Sequence, residues 1–157
     1  MIAKNDNAHI GLSNQIQARK VKKTYIALVR GEIKENEATI NMPIGRSTKD
    51  RKKMAVTEKG KEAITHFKII NRYKGYTLIE VNIETGRTHQ IRVHMAEIGY
   101  PVVGDNVYSN GKNPFGVKGQ MLHAAKLKFV HPTTKKELNL EAPLPEYFKK
   151  VLQTLEN

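Results

Sequence analysis

Tyr76-Thr77-Leu78-Ile79-Glu80-Val81-Asn82-Ile83-Glu84-Thr85-Gly86-Arg87-Thr88-His89-Gln90-Ile91-Arg92-Val93-His94-Met95 changes its hydrophobic period partway along. From Tyr76 to Glu84, Thr77, Ile79, Val81 and Ile83 alternate with Leu78, Glu80, Asn82 and Glu84, the pattern of a half-buried strand. From Thr88 to Ile98 the apolar residues fall at helical spacing, with Ile91, Met95 and Ile98 forming a stripe. Gly99 supplies a stop, and Pro101 prevents the helix from resuming. A strand that runs through a short polar turn into a helix points to an α+β chain.

Upstream, residues 62–71 form a second strand, joined to the first by a turn at Lys74-Gly75, so the pair reads as a hairpin. Lys22 to Val29 carries Tyr25, Ala27 and Val29 on one side and Thr24, Ile26 and Leu28 on the other. Apolar groups on both sides place this strand inside a sheet covered on two faces, and Gly31 ends it. Residues 6–19 are expected to be helical, with Ala8, Leu12, Ile16 and Arg19 on one face. Downstream, residues 105–120 read as loop, 123–131 and 137–141 as strands, and Pro145 opens a last helix with Phe148, Leu152 and Leu155 inward. The expected fold is α+β: a mixed, mainly antiparallel β-sheet with a few flanking helices, in one domain over residues 1–157.

Lys and Arg total 27 against 15 Asp and Glu, a formal charge of +12 on 157 residues. Such an excess suits a polyanionic partner, because positive surface attracts phosphate and releases counterions. The excess concentrates in residues 45–61, where Arg46, Lys49, Arg51, Lys52, Lys53, Lys59 and Lys61 face only Asp50 and Glu58. That segment reads either as a phosphate-binding arm or as a solvated loop. The absence of cysteine excludes disulfides and thiolate metal sites. No stretch approaches the roughly 20 apolar residues of a membrane span, and the first residues lack the pattern of a signal peptide. The chain reads as cytoplasmic, with no membrane partner.

The Glu84–His94 run concentrates Arg87, His89, Gln90, Arg92 and His94. Thr85 or Thr88 is placed to cap the helix, whose N-terminus favours an anion, and Arg87 and Arg92 add charged donors. Two readings of Arg92 are open: an anion grip, or a buried structural ion pair. No acidic residue nearby stands out as its partner. His89 and His94 are five apart, about 140° round a helix, so they do not chelate one metal as an i, i+4 pair does, and no metal site is expected. Nucleophile elbows, phosphate loops and dinucleotide fingerprints are absent. Tyr25 follows Lys22-Lys23-Thr24; it is either a ring that stacks on an unstacked base while lysines hold phosphate, or a core tyrosine.

Six ordered segments resemble the RluA/RluD-type RNA pseudouridine synthases. They are residues 23–31 (Lys-Thr-Tyr-Ile-Ala-Leu-Val-Arg-Gly), Pro43-Ile44-Gly45-Arg46, residues 84–95, and residues 101–108 (Pro-Val-Val-Gly-Asp-Asn-Val-Tyr). Leu122-His123-Ala124 and Ala142-Pro143-Leu144-Pro145 follow in the same order. The resemblance implies an isomerase that detaches uracil from ribose, rotates it and rejoins it through carbon, on rRNA or, second, tRNA, with no cofactor. It implies that Tyr25 packs on the flipped base and that Arg92 pairs with a catalytic aspartate. It further implies that Leu122 lines the base pocket. Lys23, Arg87, His89, Arg46, Lys52 and Lys53 are the expected substrate contacts.

The family's aspartate sits in a motif His-Arg-Leu-Asp-x-x-Thr-Ser-Gly, which is nowhere in these residues, and Asp6 and Glu32 stand in other contexts. The expectation is a truncated catalytic-domain fragment, inactive alone, with self-association through an exposed sheet edge. The alternatives are a non-catalytic basic RNA-binding module and a stable piece without function.

Overall fold

The computed structural model describes residues 22–109, 113–131 and 133–156. The helix expected over residues 6–19 lies outside them. In chain order the elements are β1 (Lys22–Arg30), β2 (Glu37–Asn41), β3 (Ile44–Arg46), β4 (Met54–Val56), β5 (Ile64–Tyr73) and β6 (Tyr76–Ile83). Then come α1 (Gln90–Glu97), β7 (Leu122–Val130), β8 (Glu137–Glu141) and α2 (Glu146–Glu156). The main sheet has six strands in the order β2-β5-β6-β1-β7-β8. The sheet expected to be mixed and mainly antiparallel is antiparallel at every strand pairing among the described residues.

β1 is central, and its two-sided apolar pattern is used on both faces. Ala27 and Val29 join Phe67, Ile79 and Val81 under α1, which contributes Ile91 and Met95. Leu28 joins Tyr73, Leu78 and Met121 on the other face, under Phe148 and Val151 of α2. Two helices therefore cover the centre of the sheet, one on each side, and leave its outer strands barer.

Local chemistry fixes the ends of α1. Gly99 adopts φ +94°, its N–H donates to Ala96 O at 3.1 Å, and Tyr100 N–H donates to Met95 O at 2.8 Å. This is a Schellman closure, in which the left-handed residue is best a glycine. The chain then turns back to the sheet. Arg30 N–H donates to Pro101 O at 2.9 Å, Val103 N–H to Leu28 O at 2.9 Å, and Met121 N–H to Val103 O at 2.7 Å. Gly104, at φ +79°, has Gly119 O only 2.4 Å from where a Cβ would stand, so no other residue fits. These contacts fix the segment that carries Asp105.

The basic segment is not an unstructured loop. β3 and β4 pair as a small hairpin, Ile44 opposite Val56 and Arg46 opposite Met54. Its apolar side packs Ile44, Met54 and Val56 against Val93 of α1 and Ala63. Ser47 Oγ accepts the N–H groups of Lys49 and Asp50 at 3.2 Å each, and Asp50 Oδ1 accepts Lys52 N–H at 3.0 Å. The tip is thus a closed turn bearing its cations outward. Gly60 approaches Ile44 too closely for any side chain, with the carbonyl carbon 2.4 Å from a Cβ position.

Candidate active site

The residues singled out from the sequence fall into three groups around α1. Tyr25 and Lys23 lie on β1, half-buried, and line a cleft of about 330 Å³ with Ala124, Leu127 and Leu140. Leu122 pairs with Ala27 and packs against the core beneath α1, as does Tyr25. Burial pushes the Tyr25 hydroxyl above its ordinary pKa, so the ring is a neutral phenol at neutral pH.

The second group centres on Arg92. Its Nε donates to Asp105 Oδ2 at 2.8 Å and its Nη2 to Oδ1 at 3.0 Å, a side-on bidentate pair. The Arg92 side chain is 12% exposed and that of Asp105 0%. Asp105 Oδ1 also accepts Val107 N–H at 3.0 Å and Tyr108 N–H at 3.1 Å. Burial alone would raise the Asp105 pKa. Arg92 and the two backbone donors outweigh it and hold the carboxyl below its ordinary value. The hydrogen bond to Asp105 correspondingly raises Arg92. The absence of a nearby carboxylate, read from the sequence, is therefore corrected: the partner is thirteen positions on, brought in by the return of the chain after Gly99.

Tyr108 extends this group. Its ring centroid lies 5.2 Å from Arg92 Cζ, a cation–π contact. Its hydroxyl accepts Met54 N–H at 3.0 Å and meets His89 Nδ1 at 2.8 Å. His89 takes a left-handed backbone, φ 57°, which costs a non-glycine residue about 1–3 kcal/mol and needs such tethers. Burial first, then the charge of Arg92, lowers the pKa of its imidazole. Arg87 donates Nε–H to Glu62 O at 2.7 Å and so ties the turn before α1 to the sheet. Arg46, Lys52 and Lys53 form the third group, on the hairpin. Arg46 Nη1 donates to Arg51 O at 2.7 Å, and Lys52 is exposed.

One expectation does not hold. Neither Thr85 nor Thr88 caps α1: its N-cap is His89, with no side-chain capping bond. Thr85 instead donates to Gln90 Oε1 at 2.7 Å and accepts Ile64 N–H at 2.9 Å, and Gln90 Oε1 also accepts Arg87 N–H. His94 faces inward from the same helix. It is 0% exposed, with Nδ1 2.8 Å from Thr65 Oγ1 and Nε2 2.9 Å from Met42 O. A carbonyl only accepts, so Nε2 carries the proton, and Nδ1 accepts from Thr65 in the neutral imidazole. Gln90 Nε2 completes the network by donating to Thr65 Oγ1 at 2.9 Å and Ile64 O at 3.0 Å. A buried polar network satisfied in this way fixes how α1 sits on β5. Sequence reading missed the roles of Asp105, Tyr108 and Thr65, whose partners Arg92, Met54 and His94 lie on other segments; the polarity of Gln90 and His94 hinted at a network.

The sequence profile of the family described as RNA pseudouridylate synthase matches residues 1–97. An uncharacterised RNA pseudouridine synthase of Bacillus subtilis, YlyB, is 48% identical over 155 residues, covering 99% of this chain and 51% of that protein. A protein of Pseudomonas aeruginosa named ribosomal large subunit pseudouridine synthase D is 42% identical over 167 residues, covering 99% of this chain and 52% of its own length. Among solved structures, human RNA pseudouridylate synthase domain containing 1 superposes with a TM-score of 0.78 at 28% identity. That match covers 98% of this chain and 73% of the human one. Fold and sequence together define a pseudouridine synthase domain. The chain belongs to the RNA pseudouridylate synthase family, and it spans about half the length of the curated relatives it matches.

The neutral burial of His94 has a pH consequence. Its folded pKa is lowered, chiefly by burial, below the ordinary histidine value of about 6.5. Below pH ~6.5 the unfolded chain therefore binds a proton that the folded chain refuses. Stability is complete above that pH and falls as the pH drops toward the folded pKa, and His89 adds in the same direction. Thermal unfolding from pH 7.5 to 5 should show a falling melting temperature. His94→Gln should be less stable at pH 7.5 and show a shallower fall. A His94→Gln slope as steep as that of the unsubstituted chain would contradict this.

Proposed function

We propose that these residues are part of the catalytic domain of an enzyme that isomerises uridine to pseudouridine in rRNA, with tRNA as the second candidate. The observation that carries the reading is the coincidence of the family match with the arrangement around α1. A half-buried neutral phenol and Leu122 lie on the face beneath the helix, and the helix holds a guanidinium whose charge is secured by a buried carboxylate. The net charge of +12 and the outward cations of the β3–β4 hairpin suit an RNA backbone. The large-subunit name of the Pseudomonas relative favours rRNA. A cytoplasmic setting is part of the same proposal.

In this reading the target uridine leaves its stack, its uracil packs on Tyr25 against the apolar wall of Leu122, and Lys23 lies beside the flanking phosphate. Asp105 engages only the Nε–Nη2 edge of Arg92, so the Nη1 donors remain chemically suited to a second carboxylate or a substrate oxygen. A carboxylate placed there would be kept ionised by the guanidinium. Asp105 does not suit the role of the catalytic aspartate, because it is buried and takes donors from Arg92, Val107 and Tyr108. The His-Arg-Leu-Asp segment that would supply it is not in the 157 residues.

Two outcomes test this. Offered an rRNA fragment, the 157-residue chain should bind it with strong salt dependence and leave its uridines unchanged. A polypeptide that also supplies the His-Arg-Leu-Asp segment should form pseudouridine, and Arg92→Gln should lower that turnover at least 100-fold while binding persists. Pseudouridine made by the 157 residues alone, or full turnover after Arg92→Gln, would overturn the assignment.

We further propose that copies of the chain associate through an exposed sheet edge; among the described residues β8 is an edge strand, and its Leu140 is 54% exposed beside the cleft. Light scattering at high concentration should give a mass above the monomer, reduced by Leu140→Lys. A single monomeric species at every concentration would count against the edge.

A further inference from the structure

Tyr108 touches three parts of the site at once. Through its hydroxyl it accepts the N–H of Met54, the first residue of β4, and meets His89 Nδ1 at the start of α1. Through its ring it faces the Arg92 guanidinium at 5.2 Å, with the His89 ring set edge-on at 5.7 Å. Its own N–H is taken by Asp105 Oδ1, the carboxylate that holds Arg92. Its position is thus fixed by the same ion pair, and it fixes the hairpin in turn. Lys52 and Lys53 immediately precede Met54 in the chain. Apolar packing of Ile44, Met54 and Val56 and the Ile44–Lys61 backbone pair hold the hairpin from one side, and the Met54–Tyr108 bond ties β4 to the Arg92 group.

We infer that Tyr108 is a positioning residue that couples the basic β3–β4 hairpin to Arg92, so that an RNA backbone held by the hairpin cations is registered against the guanidinium. This rests on the proposed RNA reading. A phenol suits the role because its two halves act on different partners. The hydroxyl governs the hairpin and His89; the ring governs Arg92 through the quadrupole that attracts a cation. Phenylalanine would keep the second and lose the first, and leucine would lose both.

The test is a double-mutant cycle on RNA affinity in the 157-residue chain, crossing Tyr108→Phe with Lys52→Glu. Each single change should weaken binding several-fold. In the Tyr108→Phe background, where the hairpin is no longer held in register, Lys52→Glu should cost markedly less than in the original chain. Hydrogen exchange should show the Met54 amide losing protection in Tyr108→Phe while the amides of β1 and β6 keep theirs. In a polypeptide competent for turnover, Tyr108→Phe should raise KM and spare kcat, whereas Tyr108→Leu should lower kcat as well. Strictly additive affinities, or an unchanged Met54 amide, would overturn the coupling. Failure of the unsubstituted chain to bind RNA would overturn the underlying RNA reading, and the exchange result would still decide whether Tyr108 fixes the hairpin.

Discussion

The bidentate pair of Arg92 and Asp105 is the constraint on which the rest of this site depends. A guanidinium 12% exposed and a carboxylate fully buried can be kept inside only because each satisfies the other. Removing either partner leaves the other charge without its counter-charge in a largely dry setting, an effect worth about 3–5 kcal/mol in buried pairs. Everything around the pair serves to place Asp105. The Schellman closure at Gly99 turns the chain back, the Pro101–Val103 strip is bonded to the end of β1, and Gly104 leaves no space for a side chain. Val107 and Tyr108 then close a turn on the same carboxylate oxygen.

The helix that carries Arg92 is held from its other side by uncharged groups. His94, Thr65, Gln90 and Thr85 form a chain of hydrogen bonds in which donors and acceptors are matched. The two devices divide the polar residues of a single short helix. One set locks it to β5, and the other ties it to the segment that carries Asp105.

Much of the fold was legible because its signals are local. The two-sided β1, the Gly75 hairpin, the Gly99 stop and the Pro145 start each depend on neighbours in sequence, and β8 was read at its observed bounds. β2 was missed because only Ile40 of its five residues is buried, so no alternation shows. The β3–β4 hairpin was missed because its strands have three residues each and lie among cations. What stabilises them is Val93 and Tyr108, on other elements. The site divides the same way. Residue types in the 84–94 run announced a polar cluster, but not which members were buried. Asp105 gave no signal of its own, because its pairing exists only once the chain has returned to the sheet.

The most direct measurement is chemical unfolding of Asp105→Asn, of Arg92→Leu, and of the double variant Arg92→Leu/Asp105→Asn, whose amide oxygen still accepts the Val107 and Tyr108 N–H groups, at neutral pH. If the pair is the buried constraint described, Asp105→Asn should lose about 3–5 kcal/mol, and the double variant should be no less stable than either single change, since no lone charge is left inside. A loss below about 1 kcal/mol for Asp105→Asn, the range of exposed ion pairs, would contradict the account.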